Sequence, residues 1–224
     1  GGDERGSYYG GHSEDFPISV PIATQNLHAA GVAKAIQYRK QHRAVVTTIG
    51  EGGTSEGDFY EALNVAGAWK LPLVFIVNNN QWAISVARAA QTGCETIAQK
   101  AIAGGIHGYQ VDGNDVLAVY HTSMLALERA RNGEGASLLE AITYRLGDHT
   151  TADDATRYRT TLELEQAWQQ EPISRLKRFM ENYYQWSDAA ETALKEECRH
   201  EVDAAVELYL NTVKAPITDM FDCL

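Results

Sequence analysis

Two short runs of apolar and β-branched residues, AVVTTI at 44–49 and LVFIV at 73–77, flank a segment of helical period. That is the pattern of a βαβ unit with two parallel strands. The second run has no polar residue, as expected of a strand covered on both faces. Between the runs Phe59, Ala62, Leu63 and Ala66 share one helical face, and Ser55 with Asp58 three positions on reads as a capping box that starts the helix. Upstream, small and apolar residues from Ala23 onward suit a helix lying close on the sheet with a basic carboxyl end, and His28 reads as a packing histidine within it. Downstream the pattern predicts a helix over 97–103, a strand around 109–111, a helix over 115–131 capped by Asp115 or Asn114, and a buried strand over 137–144. Residues 162–210 are helical in pattern, with Pro172 near a helix start. Trp168, Ile173, Leu176, Phe179 and Met180 form one candidate face there, and Leu194, Val202, Val206 and Tyr209 another. The expected fold class is α/β: a mostly parallel sheet covered by helices, with a helical carboxyl-terminal tail. Residues 1–160 read as the α/β domain and 161–224 as its helical extension, while the glycine-rich stretch 1–16 reads as an ordered loop or a lead-in.

At 224 residues and 44% hydrophobic, the chain can bury one full core. A net charge of −11 argues against a nucleic-acid partner, and no basic tract suits an anionic membrane surface. No apolar run is long enough to span a bilayer. Cys94, Cys198 and Cys223 lack metal-type spacing, so reduced thiols in a cytosolic or matrix-like compartment are expected.

The candidate chemistry lies at the ends of the two strands. Gly50, Gly52 and Gly53 form a turn entering a helix, where backbone N–H groups can face a phosphate or diphosphate. No Gly-Lys-Ser/Thr follows, and GEGGTSEG breaks the dinucleotide spacing, so neither a P-loop nor a Rossmann fingerprint is present. Glu51 ends the first strand and Asn80 the second. If the strands are adjacent and parallel, both side chains emerge at the carboxyl edge, where a carboxylate, an amide oxygen, a main-chain carbonyl and diphosphate oxygens could surround Mg2+. The plain alternative is an ordinary α/β turn with an N-capping cluster. Arg145–Arg159, RLGDHTTADDATRYR, leaves a later strand as a long polar loop of the kind that closes over ligands, and His149 is its one histidine.

Gly-Glu-Gly at 50–52, followed after a helix and a strand by Asn79-Asn80, resembles the thiamin-diphosphate motif. The longer stretches GEGGTSEGDFYEALNVAG, NNQWAIS, SVPIATQ, QVDGNDVLAVY and TYRLGDHTTADDATRYR are similar, in the family's order, to the α subunit of the E1 component of 2-oxo acid dehydrogenase complexes. The resemblance implies thiamin diphosphate and Mg2+ as cofactors. Glu51, Asn80 and the carbonyl of Trp82 would hold the metal; Ile22, Gly52, Gly53, Asn80, Arg145 and His149 would contact the cofactor. His149 would assist acyl transfer, and Ser19, Pro21, Thr24 and Gln25 would form a K+ site. Thr150 stands where mitochondrial relatives carry a regulatory phosphoserine. Trp82 replaces the family's Tyr or Phe, and Asn78 stands where branched-chain relatives have Arg.

The implied reaction is oxidative decarboxylation of a 2-oxo acid, pyruvate first, with reductive acyl transfer to the lipoyl domain of E2. The implied assembly is an α2β2 heterotetramer in which the E1 β subunit supplies the glutamate beside the aminopyrimidine. Branched-chain 2-oxo acids and acetoin are alternative substrates. A family segment bearing Tyr and Arg ligands for the diphosphate precedes the point at which this sequence begins, so the chain reads as N-terminally incomplete. A non-catalytic fragment or regulatory subunit that keeps the fold and the β interface is the alternative function.

Overall fold

The computed structural model describes residues 19–213 and 216–218, so the lead-in 1–16 and Cys223 lie outside the described residues. Ser19–Leu176 forms one compact unit, and the described residues from Lys177 onward belong to a second.

The first unit opens with α1 (Thr24–Tyr38), followed by β1 (Val45–Gly50), a 3-10 turn at Gly52–Ser55, α2 (Gly57–Ala68) and β2 (Leu73–Asn79). A hairpin of β3 (Trp82–Ala83) and β4 (Val86–Ala87) comes next, then α3 (Arg88–Gln91), a 3-10 turn at Ile97–Gln99, α4 (Lys100–Gly104) and β5 (His107–Asp112). α5 (Val116–Arg131), β6 (Ser137–Ile142), a 3-10 turn at Ala155–Arg157 and α6 (Thr161–Trp168) follow. α7 (Pro172–Tyr184) carries the chain across the unit boundary, and α8 spans Asp188–Asn211.

The main sheet has the order β1-β2-β6-β5 with every pairing parallel, so the βαβ reading holds. β1 pairs with β2 from Val45 opposite Leu73 to Gly50 opposite Asn78, which ends both strands at one edge. Helices are needed on the faces because both sides of these strands are apolar. On one face Phe59, Ala62, Leu63 and Ala66 of α2 are buried against the sheet, with Phe59 edge-on to Phe75 at 6.1 Å between ring centroids. On the other, Ala126 and Ala130 of α5 pack against Val74, small residues that let helix and strand approach closely. Asp115 caps α5 by accepting from the N–H groups of Leu117 and Ala118.

Several local expectations are corrected. Ser55 does not start α2: it closes the 3-10 turn, and Glu56, which makes no side-chain cap, precedes the helix. Asp58 is drawn away from capping because its Oδ2 accepts from the Thr24 hydroxyl at 3.1 Å, tying α2 to α1. His28 is exposed on α1 rather than buried. The helix stops at Tyr38, so the basic residues Arg39 and Lys40 lie past its last turn. Trp168 belongs to α6 and does not share a helix with Ile173, Leu176, Phe179 and Met180 of α7.

In the second unit Glu191 accepts from Trp186 Nε1 at 3.0 Å and pairs with Lys195 at 3.0 Å, and these bonds hold its carboxyl below the usual range. Leu194, Val202, Val206 and Tyr209 of α8 are exposed. Among the described residues no helix is long and apolar enough to cross a membrane.

Candidate functional site

Parallel register brings the two halves of the motif together at the carboxyl edge. Glu51 is 2% exposed, and its Oε2 accepts the Asn80 N–H at 3.1 Å, directly joining the turn after β1 to the turn after β2. Its Oε1 is buried and has no hydrogen-bond partner among the described residues. Burial raises the carboxyl above its ordinary range, opposed by hydrogen bonds from backbone N–H groups and by the guanidinium groups of Arg145 and Arg88. An acceptor left without a donor in the interior is costly, so this oxygen is a natural point for a cation.

Asn80 continues the chain of contacts. Its Oδ1 accepts the Trp82 N–H at 3.1 Å, and its carbonyl accepts the Arg145 N–H at 3.2 Å. Arg145, on the loop after β6, reaches back to the hairpin: Nη1 donates to the Trp82 carbonyl at 3.3 Å, and Nη2 to the Ile84 carbonyl at 2.8 Å and the Tyr158 hydroxyl at 2.7 Å. Four of the expected residues, Glu51, Asn80, Trp82 and Arg145, therefore form one connected cluster. The guanidinium is spent largely on protein groups, with Nε buried and without a partner among the described residues.

The hairpin bends tightly above the glycine turn, with Ile84 at φ 53, a left-handed conformation unusual for a β-branched residue. A Cβ on Gly52 would stand 2.6 Å from Ala83 Cβ and 3.2 Å from Gln91 Nε2, and one on Gly53 would stand 2.8 Å from Ile22 Cγ2. At 52 and 53 only glycine fits without a shift of these neighbours, whereas a Cβ on Gly50 would meet nothing within 4 Å. Ile22 is 63% exposed, so it lies over the turn and is not core.

His149 is exposed on the loop after β6, and its N–H donates to Asp153 Oδ2 at 2.8 Å. Asp153 also accepts the Tyr158 hydroxyl, so a path His149–Asp153–Tyr158–Arg145 links the loop to the cluster. The Tyr158 bond first, and the His149 N–H second, hold the Asp153 carboxyl below its ordinary range. Tyr158 packs on Trp82 with ring centroids 5.4 Å apart. Arg159 ties the same loop down by donating to the carbonyls of Arg145 and Gly147.

Of the remaining expected residues, Pro21 accepts the Thr24 N–H through its carbonyl, and Gln25 Nε2 donates to the Thr48 carbonyl at 3.1 Å. Ser19 is half-buried at the start of the described residues. Among the described residues no three His, Cys, Asp or Glu side chains converge as a metal cluster, so any metal here rests on one carboxylate with amide and carbonyl oxygens.

Sequence reasoning passed over Asp153, Tyr158 and a buried framework. Asn79 Nδ2 donates to Glu140 Oε1 at 2.6 Å, and Glu140 Oε2 accepts from Ala98 N at 2.9 Å and Gln110 Nε2 at 3.0 Å. A lone carboxylate in the apolar run SLLEAI was the available signal for Glu140.

A dehydrogenase E1 component family model matches residues 1–217. The chain is 44% identical over 206 residues to the pyruvate dehydrogenase E1 component subunit alpha of Staphylococcus aureus (strain Mu50 / ATCC 700699), covering 92% of this chain and 56% of that protein. To the protein of the same name from Bacillus cereus it is 44% identical over 207 residues, again 92% and 56%. It is also 46% identical over 200 residues to the 3-methyl-2-oxobutanoate dehydrogenase subunit alpha of Mycobacterium tuberculosis (strain CDC 1551 / Oshkosh), covering 88% and 54%. The chain thus spans about half the length of the curated relatives it matches. With the family model matching nearly the whole sequence over the parallel sheet and the Glu51–Asn80 edge, the chain belongs to the dehydrogenase E1 component family.

Proposed function

We propose that this chain is the α half of a thiamin-diphosphate-dependent E1 that decarboxylates a 2-oxo acid, pyruvate by preference, and passes the acyl group to the lipoyl domain of E2. The observation that carries the reading is the buried Glu51 Oε1 beside Asn80, without a hydrogen-bond partner among the described residues, next to a turn whose positions 52 and 53 leave no room for a Cβ. The donors are all oxygens, which suits Mg2+ with diphosphate oxygens and water completing the shell. Glu51, Asn80 and the Trp82 carbonyl would hold the metal, and Gly52 and Gly53 would admit the diphosphate to the backbone.

Thiamin diphosphate supplies the electron sink for decarboxylation when bound. The chain's own residues bind and orient. Glu51 fixes the two strand ends relative to each other through the Asn80 N–H. Arg145 pins the hairpin through the Trp82 and Ile84 carbonyls and would set its charge near the diphosphate, and Ile22 covers the turn. His149, on a loop held by Asp153, is exposed where an incoming lipoyl group could exchange a proton with it. Pro21, Thr24 and Gln25 carry oxygens suited to K+, with Ser19 beside them. An E1 β subunit would complete the site as an α2β2 assembly.

The two relatives named for pyruvate support that substrate, and the relative named for 3-methyl-2-oxobutanoate supports the wider class. The test is reductive acylation of a lipoyl domain by this chain paired with an E1 β subunit, with pyruvate or 3-methyl-2-oxobutanoate as donor. Faster transfer from pyruvate, slowed in His149→Ala without loss of cofactor affinity, is expected. Faster transfer from 3-methyl-2-oxobutanoate would overturn the substrate, and no transfer with either would overturn the activity.

A further inference from the structure

Beneath the glycine turn lies a lysine that the reaction does not use. Lys100, the first residue of α4, is 3% exposed, and its ammonium is bonded to neutral groups: the Thr54 carbonyl at 2.7 Å and the Thr54 hydroxyl at 3.0 Å, with the Tyr60 ring at 5.0 Å. Burying an ammonium on such partners is costly, so its retention needs a reason.

The Thr54 hydroxyl donates onward to the Glu51 carbonyl at 2.6 Å, and the Thr54 N–H donates to the same oxygen at 3.1 Å. Lys100 therefore grips the one-turn helix that presents Glu51.

Two residues earlier, the Ala98 N–H donates to Glu140, which is 1% exposed and holds the Asn79 side chain. Asn79 Oδ1 in turn accepts from Gln81 Nε2 at 3.0 Å and Gln81 N at 3.3 Å. One short segment, 97–100, thus bonds to the Gly-Glu-Gly side through Lys100 and Thr54, and to the Asn-Asn side through Glu140 and Asn79.

We propose that segment 97–100 is a brace that holds Glu51 and Asn80 at a common spacing, with Lys100 and Glu140 as positioning residues for the metal and diphosphate. Neither touches the reacting atoms. Outer partners of metal ligands typically change metal affinity by about 10–100-fold when removed. The inference rests on the proposed function for its ligand, but the stiffening of the two turns does not depend on any ligand.

The test uses the chain paired with an E1 β subunit, in Lys100→Met, Glu140→Gln, the double variant, and the pair Thr54→Val and Thr54→Ser. Thermal unfolding first establishes which variants fold. Amide exchange without cofactor is then read at residues 51–57 and 79–82, and Mg2+-dependent thiamin diphosphate binding by calorimetry. Lys100→Met is expected to speed exchange in both turns, including the one it does not touch, and to weaken binding about tenfold or more. The double variant should lose less than the sum of the singles, because both act through one segment. Thr54→Val, which removes the hydroxyl link to Glu51 but keeps the carbonyl bond to Lys100, should shift both readouts in the same direction as Lys100→Met by a smaller amount, and Thr54→Ser should behave as the parent, which decides the matter should Lys100→Met not fold. Exchange unchanged at 79–82 in folded Lys100→Met or Thr54→Val, or binding within twofold of the parent, would overturn the brace. If the parent bound no cofactor, the functional reading would fall while the exchange result still decided the inference.

Discussion

Replacing Glu51 with glutamine should strengthen the fold and abolish cofactor retention together. The carboxyl is buried, one oxygen accepts the Asn80 N–H at 3.1 Å, and the other has no partner among the described residues. Glutamine keeps the shape and an oxygen for Asn80 while removing the charge. A buried polar group left unpaired costs about 1–3 kcal/mol, more when charged, and the new amide N–H2 retains part of that cost, so a gain of about 1 kcal/mol is expected without cofactor. The pH dependence has a definite sign. Burial raises the folded carboxyl above its ordinary value of 4.5, so above that value the folded chain binds more protons than the unfolded one. Stability from this group is therefore lost as pH rises from the unfolded value through the folded one. Urea unfolding of parent and variant across pH should show the gap smallest at low pH, widening through that window and then constant. Mg2+-dependent thiamin diphosphate binding should fall at least about 100-fold, equivalent to about 2.7 kcal/mol. A variant less stable than the parent at neutral pH, with no pH-dependent gap, would refute the burial argument. Undiminished binding would refute the ligand assignment.

Gly52→Ala places a Cβ 2.6 Å from Ala83 Cβ, so the hairpin must shift; a loss of about 1–3 kcal/mol in urea unfolding is expected, with cofactor binding weakened at least about tenfold. Glu140→Ala strands Asn79 Nδ2, the Ala98 N–H and Gln110 Nε2, and a loss of about 3 kcal/mol or more in thermal or urea unfolding is expected. Tyr158→Phe removes the principal bond that lowers the Asp153 pKa, so NMR titration should show that pKa rising toward its ordinary 3.8 and the His149 amide exchanging faster. Because the parent Asp153 pKa is lowered, the loop order it supports is present above the unfolded value and lost as pH falls through the folded one.

The sheet and its helices were legible because burial imposes period. The run LVFIV is apolar because β2 is covered on both faces, and Phe59, Ala62, Leu63 and Ala66 repeat because α2 buries one stripe. The Glu51–Asn80 pairing was legible only once the strands were taken as adjacent and parallel, since 29 residues separate them. What escaped depends on contacts that no local pattern records. Asp58 looked like a cap because its spacing from Ser55 is right, but the Thr24 hydroxyl, 34 residues away, competes for it. Lys100 resembles any surface lysine in sequence, and only the fold turns it inward to Thr54. Glu140 was visible as a carboxylate in an apolar strand, yet its partners come from three separate segments. The β3–β4 hairpin rests on a left-handed Ile84 that propensity would not assign there.

The most direct measurement is calorimetric titration of thiamin diphosphate with Mg2+ into this chain paired with an E1 β subunit, comparing the parent with Glu51→Ala. Binding by the parent pair that requires Mg2+ and disappears in Glu51→Ala is the expected result. A folded, fully paired parent that binds no cofactor, or a Glu51→Ala pair that binds as tightly as the parent, would contradict the assignment of the Glu51–Asn80 edge as the cofactor site.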